Sequence, residues 1–269
     1  MSTFAGIADL TGRGLIQVTG EDRKRLIHAM STNHIEQMHP GDQVYAFFLN
    51  AQGRILADAW IQCREDHLLL DTEPDVRQKL FEHLDKFIIA DDAYLEDVTE
   101  QYAVLTDGDR RWYPKRDEKQ AEIARLGRVV LTAAEYEIAR LERGEPRYGV
   151  DIPETVLVQE TQRMQAVRFS KGCYLGQEIM ERVRARATVH KHLWPLRVEG
   201  SVVPEAAAEF FAGDAKAGWI TSAAFSRRLG QVVALGYVSA AYEGGAKEMR
   251  LRGGAADGAQ VLIARPKAL

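Results

Sequence analysis

Few residues in this chain combine a type and a spacing that can do chemistry. Cys173 is the first of them, one of only two cysteines, in Phe169-Ser-Lys-Gly-Cys-Tyr-Leu-Gly-Gln-Glu178. Lys171 lies two residues before it, and Gly172 and Gly176 let the backbone turn tightly or approach a ligand closely. A thiol in such a loop is either a reactive group or a small side chain filling a pocket. Arg182, Arg184 and Arg186 follow, then His190, Lys191 and His192. Alternating arginines on an extended segment predict a basic face suited to carboxylates, phosphates or RNA, or a solvated strand face. Glu160, at the start of ETQRMQAVRF, adds a carboxylate that in a cavity could accept from a ring N–H and an adjacent amine.

Other chemistries are poorly supported. The chain has no CxxC pair, HExxH, GxGxxG, phosphate-binding GxxxxGK[ST] or GxSxG elbow. The histidines do not assemble at the spacing of a structural zinc site, so no stably bound metal is expected. Two cysteines are too few for a disulfide framework or for a four-cysteine cluster held within the chain. A net charge of -4 gives no general reason to expect nucleic acid. The opening MSTFAGIADLTGRG has no basic region followed by an apolar run, so a cytoplasmic protein without a membrane span is expected.

The elements that must carry these residues read as mixed helix and strand. Asp22 to Ser31 predicts a short helix with Leu26, Ile27 and Met30 on one face. VYAFFLN and ILADAWIQC predict a hairpin around Asn50-Ala51-Gln52-Gly53, with DHLLLD as a third strand. A helix is predicted from Glu73, capped by Thr72 with Asp75 in the box position and running through Phe87 and Ile88. YAVLTD and RVVLT predict strands on either side of a loop, GDRRWYPKRDEK. Ala133 to Arg143 predicts a helix closed by Gly144 and Pro146, and Glu160-TQRMQAVRF a further short helix. After Lys191 the pattern changes to LWPLRVEG, GWITSAAFS, QVVALGYVS and QVLIARP, separated by glycine-rich turns, which predicts a strand-dominated C-terminal domain.

KGCYLGQE resembles the KGCYxGQE signature of the YgfZ-type folate-binding proteins, whose mitochondrial counterparts assist iron-sulfur protein assembly. These are relatives of the glycine cleavage T-protein, an aminomethyltransferase. The resemblance extends to GEDRKRLIHAMSTNHI, AQGRILAD, ERGEPRYGVDI and GWITSAAFSRRLGQVVALGYV. It implies an α+β, T-protein-like, pseudo-threefold arrangement of lobes around a central folate cavity, closed by a C-terminal β-barrel-like domain. The lobes are expected at 1–100, 101–190 (carrying the signature) and 191–269.

The same resemblance implies tetrahydrofolate or a derivative as cofactor, with Glu160 gripping the pterin edge. It makes Cys173 a reactive thiol, with Lys171 and Asp58 as further catalytic candidates. Tyr174, Gln177 and Glu178 shape the loop, Arg186 faces the folate tail, and Asn33 belongs to the cofactor site. The T-protein's acidic hairpin pair is here Ala57-Asp58, which weakens the case for aminomethyl transfer. The implied function is a monomeric, non-catalytic or weakly catalytic accessory protein with transient iron-sulfur enzyme or assembly partners. A folate-dependent one-carbon transferase or demethylase, and an RNA-associated tRNA-modification accessory, are the alternatives.

Overall fold

A computed structural model describes residues 4–154, 156–186, 189–244 and 248–264. The first lobe is an all-antiparallel five-stranded sheet, ordered Gln43–Leu49, Ile55–Cys63, Leu68–Thr72, Gly14–Thr19, Tyr94–Asp97. The predicted hairpin forms at Asn50, whose side-chain oxygen accepts from the backbone N–H groups of Gln52 and Arg54 at 3.0 Å. Gly53 supplies the left-handed residue the turn requires, at φ +68°. Helix α1, Arg23–Met30, turns Leu26, Ile27 and Met30 into the core as their spacing predicts.

Helix α2, Pro74–Asp85, starts one turn position later than expected. Thr72 is the last residue of its strand, and its hydroxyl donates to the Asp58 carbonyl rather than capping the helix. Glu73 is the N-cap and Pro74 opens the first turn, where its missing N–H costs nothing. Phe87 and Ile88 lie beyond the helix end.

The second sheet is small, ordered Arg111–Trp112, Leu105–Thr106, Ile7–Asp9, Val130–Leu131. The predicted strands around YAVLTD and RVVLT shrink to two residues each. The segment read as a loop contains the strand Arg111–Trp112 and leads through a 3-10 turn into helix α3, Lys119–Leu126. Helix α4, Ala133–Arg143, has a complete Thr132–Glu135 capping box and a left-handed Gly144 at its end.

Residues 157–167 form two 3-10 turns, Val158–Thr161 and Met164–Ala166, instead of the predicted helix. Gln162 at φ +56° separates them, a left-handed conformation that interrupts helical hydrogen bonding. Helix α5, Gln177–Arg186, overturns the extended reading of the arginine run. Arg182 and Arg186, four apart, therefore share a helix face, while Arg184, two from each, points in another direction.

The C-terminal region is a closed six-stranded barrel, ordered Lys191–Val198, Gln231–Ser239, Ala215–Ser226, Glu209–Ala212, Met249–Leu251, Gln260–Ile263. Four of these strands were expected; Glu209–Ala212 and Met249–Leu251 complete the closure. Asp151 ties the barrel to the rest. One carboxylate oxygen accepts from the hydroxyls of Thr221 and Ser222, at 2.6 and 2.5 Å. The other accepts from Arg140 and from the Arg147 backbone N–H, both at 2.9 Å.

Candidate functional site

The Lys171–Glu178 loop is built on the C-terminal end of α1, whose last carbonyls have no partner within the helix. The buried Lys171 ammonium donates to the carbonyls of His28 and Ser31, the latter at 2.8 Å. The Leu175 N–H donates to the Ala29 carbonyl at 3.0 Å. Lys171 also lies 4.7 Å from the centroid of the Tyr174 ring. Burial pulls its amine down to about 8, against the opposing charges of Glu36 and Cys173.

His28 completes the joint. Its Nδ1 accepts from the Ile35 N–H at 3.2 Å, which assigns the proton to Nε2, 2.9 Å from the Lys171 carbonyl. Burial lowers its pKa and keeps the ring neutral, assisted by the adjacent Lys171 charge.

Of the signature glycines, Gly172 supplies a left-handed turn at φ +98° with open space around it, and Gly176 serves close approach. Gly176 sits at φ +83°, where a Cβ would come within 2.8 Å of the Asn50 carbonyl. A Cβ on Gly53 would meet Ile179 at the same distance. The loop thus packs directly on the hairpin turn. Tyr174 is buried, its phenol pushed up to about 12 by burial and by Glu181. Gln177 accepts from the Tyr174 N–H at 3.3 Å, and Glu178 pairs with Arg182 at 2.8 Å on the surface. Cys173 alone of this group is a chemically active side chain left exposed, while Cys63 is buried. Arg184 pairs with Glu181 and lies over the Phe169 ring, and Arg186 closes α5 at the surface.

A second constellation lies inside the molecule. Strand register sets Tyr45 opposite Trp60 and Phe47 opposite Asp58, so the hairpin's polar and aromatic groups converge. Tyr45, Asp58 and Trp60 line a central pocket of about 50 Å³, together with Arg13, Arg111 and Arg163. Asp58 Oδ2 accepts from the Tyr45 hydroxyl at 2.5 Å, but its buried Oδ1 has no hydrogen-bond partner among the described residues. Burial raises this carboxyl to about 6, although the Tyr45 hydroxyl and Arg13 oppose the shift. Arg163 lies 5.2 Å from the Tyr45 ring centroid, and its buried Nε likewise lacks a partner.

The surrounding charges are closed on one another. Asp71 accepts from Arg13 and Arg111, and from the Tyr113 hydroxyl at 3.1 Å; Arg13 also pairs with Glu73. This encirclement overcomes burial and lowers the Asp71 pKa. Past Arg163 and Pro146, which line both spaces, lies a cleft of about 330 Å³ beside the barrel, walled by Gln162, Leu193, Trp194 and Arg197.

Of the residues singled out in the sequence, Asp58 alone lines the central pocket. Glu160 caps its own turn, accepting from the Leu157 N–H at 2.8 Å, with Lys191 4.0 Å from its other oxygen. Asn33 donates to the carbonyls of Tyr45 and Gln165 and accepts from the His34 N–H, fixing the chain behind the hairpin. Sequence reasoning missed Tyr45, Trp60, Arg13, Arg111 and Arg163. Period-two alternation was the available signal for the first two, since it sets Trp60 on the same strand face as Asp58 and Tyr45 opposite Trp60.

Residues 1–106 match the GCVT N-terminal domain, and residues 191–263 match the glycine cleavage T-protein C-terminal barrel domain. The chain belongs to the glycine cleavage T-protein superfamily. Its fold matches the crystal structure of glycine cleavage system aminomethyltransferase T from Bartonella henselae, with a TM-score of 0.82 at 17% identity, covering 98% of this chain and 86% of that one. Among curated relatives, the mitochondrial iron-sulfur cluster assembly factor IBA57 homolog of Mycosarcoma maydis is 29% identical, over 71% of this chain and 56% of that protein. The mouse iron-sulfur cluster assembly factor IBA57 is 28% identical, over 71% and 66%. The chain thus spans less than two thirds of these relatives' length. An aminomethyltransferase of Aquifex aeolicus is 23% identical, over 93% of this chain and 80% of that protein. Among the described residues no helix is long and apolar enough to cross a membrane, and no cluster of His, Cys, Asp and Glu could hold a metal ion.

Proposed function

We propose that this chain is a YgfZ-type member of its superfamily that assists assembly or repair of iron-sulfur proteins. In this reading it binds a reduced folate in the central pocket and offers Cys173 to a cluster carried by a partner. The observation that carries it is the construction of the signature loop. A buried lysine, a neutral histidine and the close-packed Gly176 hold a single exposed thiol on the end of α1 and the hairpin turn. Similarity to proteins named as iron-sulfur cluster assembly factors supports the choice of substrate. As an iron ligand, the Cys173 thiol releases its proton to solvent while its sulfur donates an electron pair to iron. The cluster's other ligands stay with the partner, since two cysteines cannot enclose it.

The pocket's donor set suits a folate head. Asp58 Oδ1 is a buried acceptor awaiting N–H groups, Arg163 Nε is a buried donor awaiting a carbonyl, and Tyr45 and Trp60 provide flat apolar walls. The 50 Å³ beside Asp58 suits the edge of a ring. The adjoining 330 Å³ cleft lies within the roughly 300–1,000 Å³ usual for small-molecule sites. Asp58 and Arg163 would hold the head, while Arg197, which has no ion pair among the described residues, lines the way out. When bound, a reduced folate supplies one-carbon carrier chemistry. We assign Glu160 a positioning role, through its contacts to Leu157 and Lys191.

The test has two arms. Titration with 5-formyltetrahydrofolate should give saturable binding, weakened at least tenfold in Asp58→Asn. A purified cluster-loaded carrier should bind the wild type and lose that binding in Cys173→Ser. Cluster-carrier binding that ignores the cysteine would sink the assembly role. A second reading rests on Asp58 itself: a buried carboxyl titrating near 6 is poised as a general base for one-carbon transfer. Stoichiometric methylene-tetrahydrofolate formation from an aminomethyl substrate, with release of its amine, would favour it.

A further inference from the structure

At one edge of the first lobe's sheet, Tyr94–Asp97 pairs only with Gly14–Thr19 among the described residues, so its outer side is a template for an added strand. Alternation turns Leu95 inward against the core, while Tyr94 and Glu96 share the opposite face. The loop that leads from α2 into this strand is apolar and open. Ile89 is 89% exposed, Tyr94 66% and Phe87 41%. Apolar side chains and an unpaired strand edge are therefore presented to solvent together.

The charge of this edge is one-sided. Between Glu82 and Asp97 the chain carries six carboxylates and a single base, Lys86. Arg25 pairs with Asp91 but is shared with Asp22, and Arg77 pairs with Asp97 at 3.2 Å. Glu82, Asp92 and Glu96 are bonded to neutral groups, the Gln78 amide, the Glu21 N–H and the Gln101 amide, which leave their charge in place. Glu21 and Asp22 on the adjoining turn bring the carboxylates to eight, against Arg23, Arg25, Arg77 and Lys86. A second copy of the chain pairing here would bring two acid-rich edges together, so the charge selects against self-association and for a basic partner.

We propose that this edge docks an extended basic segment of a partner protein. The segment adds as a strand along Tyr94–Asp97, lays apolar side chains on Tyr94 and Ile89, and sets its lysines or arginines against Glu96 and the loop acids. Strand addition supplies affinity through the backbone, while the one-sided charge supplies selectivity.

The test uses the full-length ¹⁵N-labelled protein and an acetylated, amidated octapeptide of alternating threonine and valine ending in two lysines. Amides of residues 14–19 and 87–97 should shift on titration. The lysine peptide should bind about fivefold tighter than the same peptide ending in glutamates, and Glu96→Lys should erase that preference. Glu96 is exposed and its carboxylate bonds to the Gln101 amide, so that variant keeps its fold. The lysine peptide with alternate backbone nitrogens methylated keeps its charge but cannot pair as a strand, and it should lose binding at least tenfold. Absence of shifts at millimolar peptide, equal binding of the lysine and glutamate peptides, undiminished binding of the methylated one, or shifts confined to other surfaces would overturn the proposal. So would a concentration-dependent dimer that Glu96→Lys dissolves, since the occupant would then be a second copy.

Discussion

At the signature loop a buried ammonium is enclosed by backbone carbonyls, and the thiol proposed to react is a different side chain left outside. In the central pocket a buried carboxylate keeps one oxygen without a partner among the described residues, and that group is itself the proposed ligand contact. Two neighbouring acids sharpen the contrast. Asp71 is ringed by Arg13, Arg111 and Tyr113, and its pKa falls. Asp58, one strand away, has a single hydroxyl partner and rises to about 6. Burial is common to both; completeness of the hydrogen-bond shell separates a structural ion from a binding group.

The largest effect is expected where the shell is complete. Asp71→Asn leaves Arg111 buried without its counter-charge and Arg13 with Glu73 alone, and should cost about 3–5 kcal/mol in urea unfolding. A loss below about 1 kcal/mol would show that the arginines find other partners and erase the distinction from Asp58.

Asp58→Asn should move stability the other way. Its folded pKa, about 6, lies above the ordinary 3.8. The native state therefore holds more protons between those values, and stability falls as pH rises through that window. The ionised group costs up to about 3 kcal/mol at neutral pH. The amide should flatten this pH slope and stabilise the protein at pH 7.5 while weakening folate binding. An unchanged slope would mean that Asp58 is already compensated.

Lys171→Met orphans the carbonyls of His28 and Ser31 and should cost about 1–3 kcal/mol. Amide exchange should quicken around residues 28–33, and the alkylation rate of Cys173 should change. The pH slope from Asp58 should remain. The smallest effect on stability belongs to Cys173→Ala, within about 0.5 kcal/mol, with folate affinity retained and cluster-carrier binding lost. Loss of folate affinity in this variant would merge the two regions into one site.

Local signals in the sequence located the hairpin, the Thr132-capped helix and four of the barrel strands, because caps, turns and alternation act over a few residues. Helix α3 escaped notice because none of its residues is buried, so no apolar stripe marks it. The second sheet is assembled from strands of two or three residues, too short for a period to register. The arginine run suggested an extended strand because alternation of charge mimics a period of two, whereas Glu178 and Glu181 support a helix through pairs three and four apart. Cys173 and Lys171 stood out in the signature, but Lys171's task as a cap on α1 depends on carbonyls 140 or more positions away. The Asp58 pocket was less legible still: Arg13, Arg111 and Arg163 meet there only through tertiary folding.

Asp151 reaches further than its place on a loop suggests. Its two oxygens accept four hydrogen bonds, two from barrel hydroxyls and two from Arg140 and the Arg147 backbone. Barrel loss would strip the hydroxyl donors from a buried carboxylate, and lobe loss would strip the guanidinium. Neither half can melt first without exposing the other to that penalty. The change of character at Lys191 is therefore an architectural boundary across which unfolding is cooperative, and a folate-induced gain in stability at the pocket should be felt by the barrel as well.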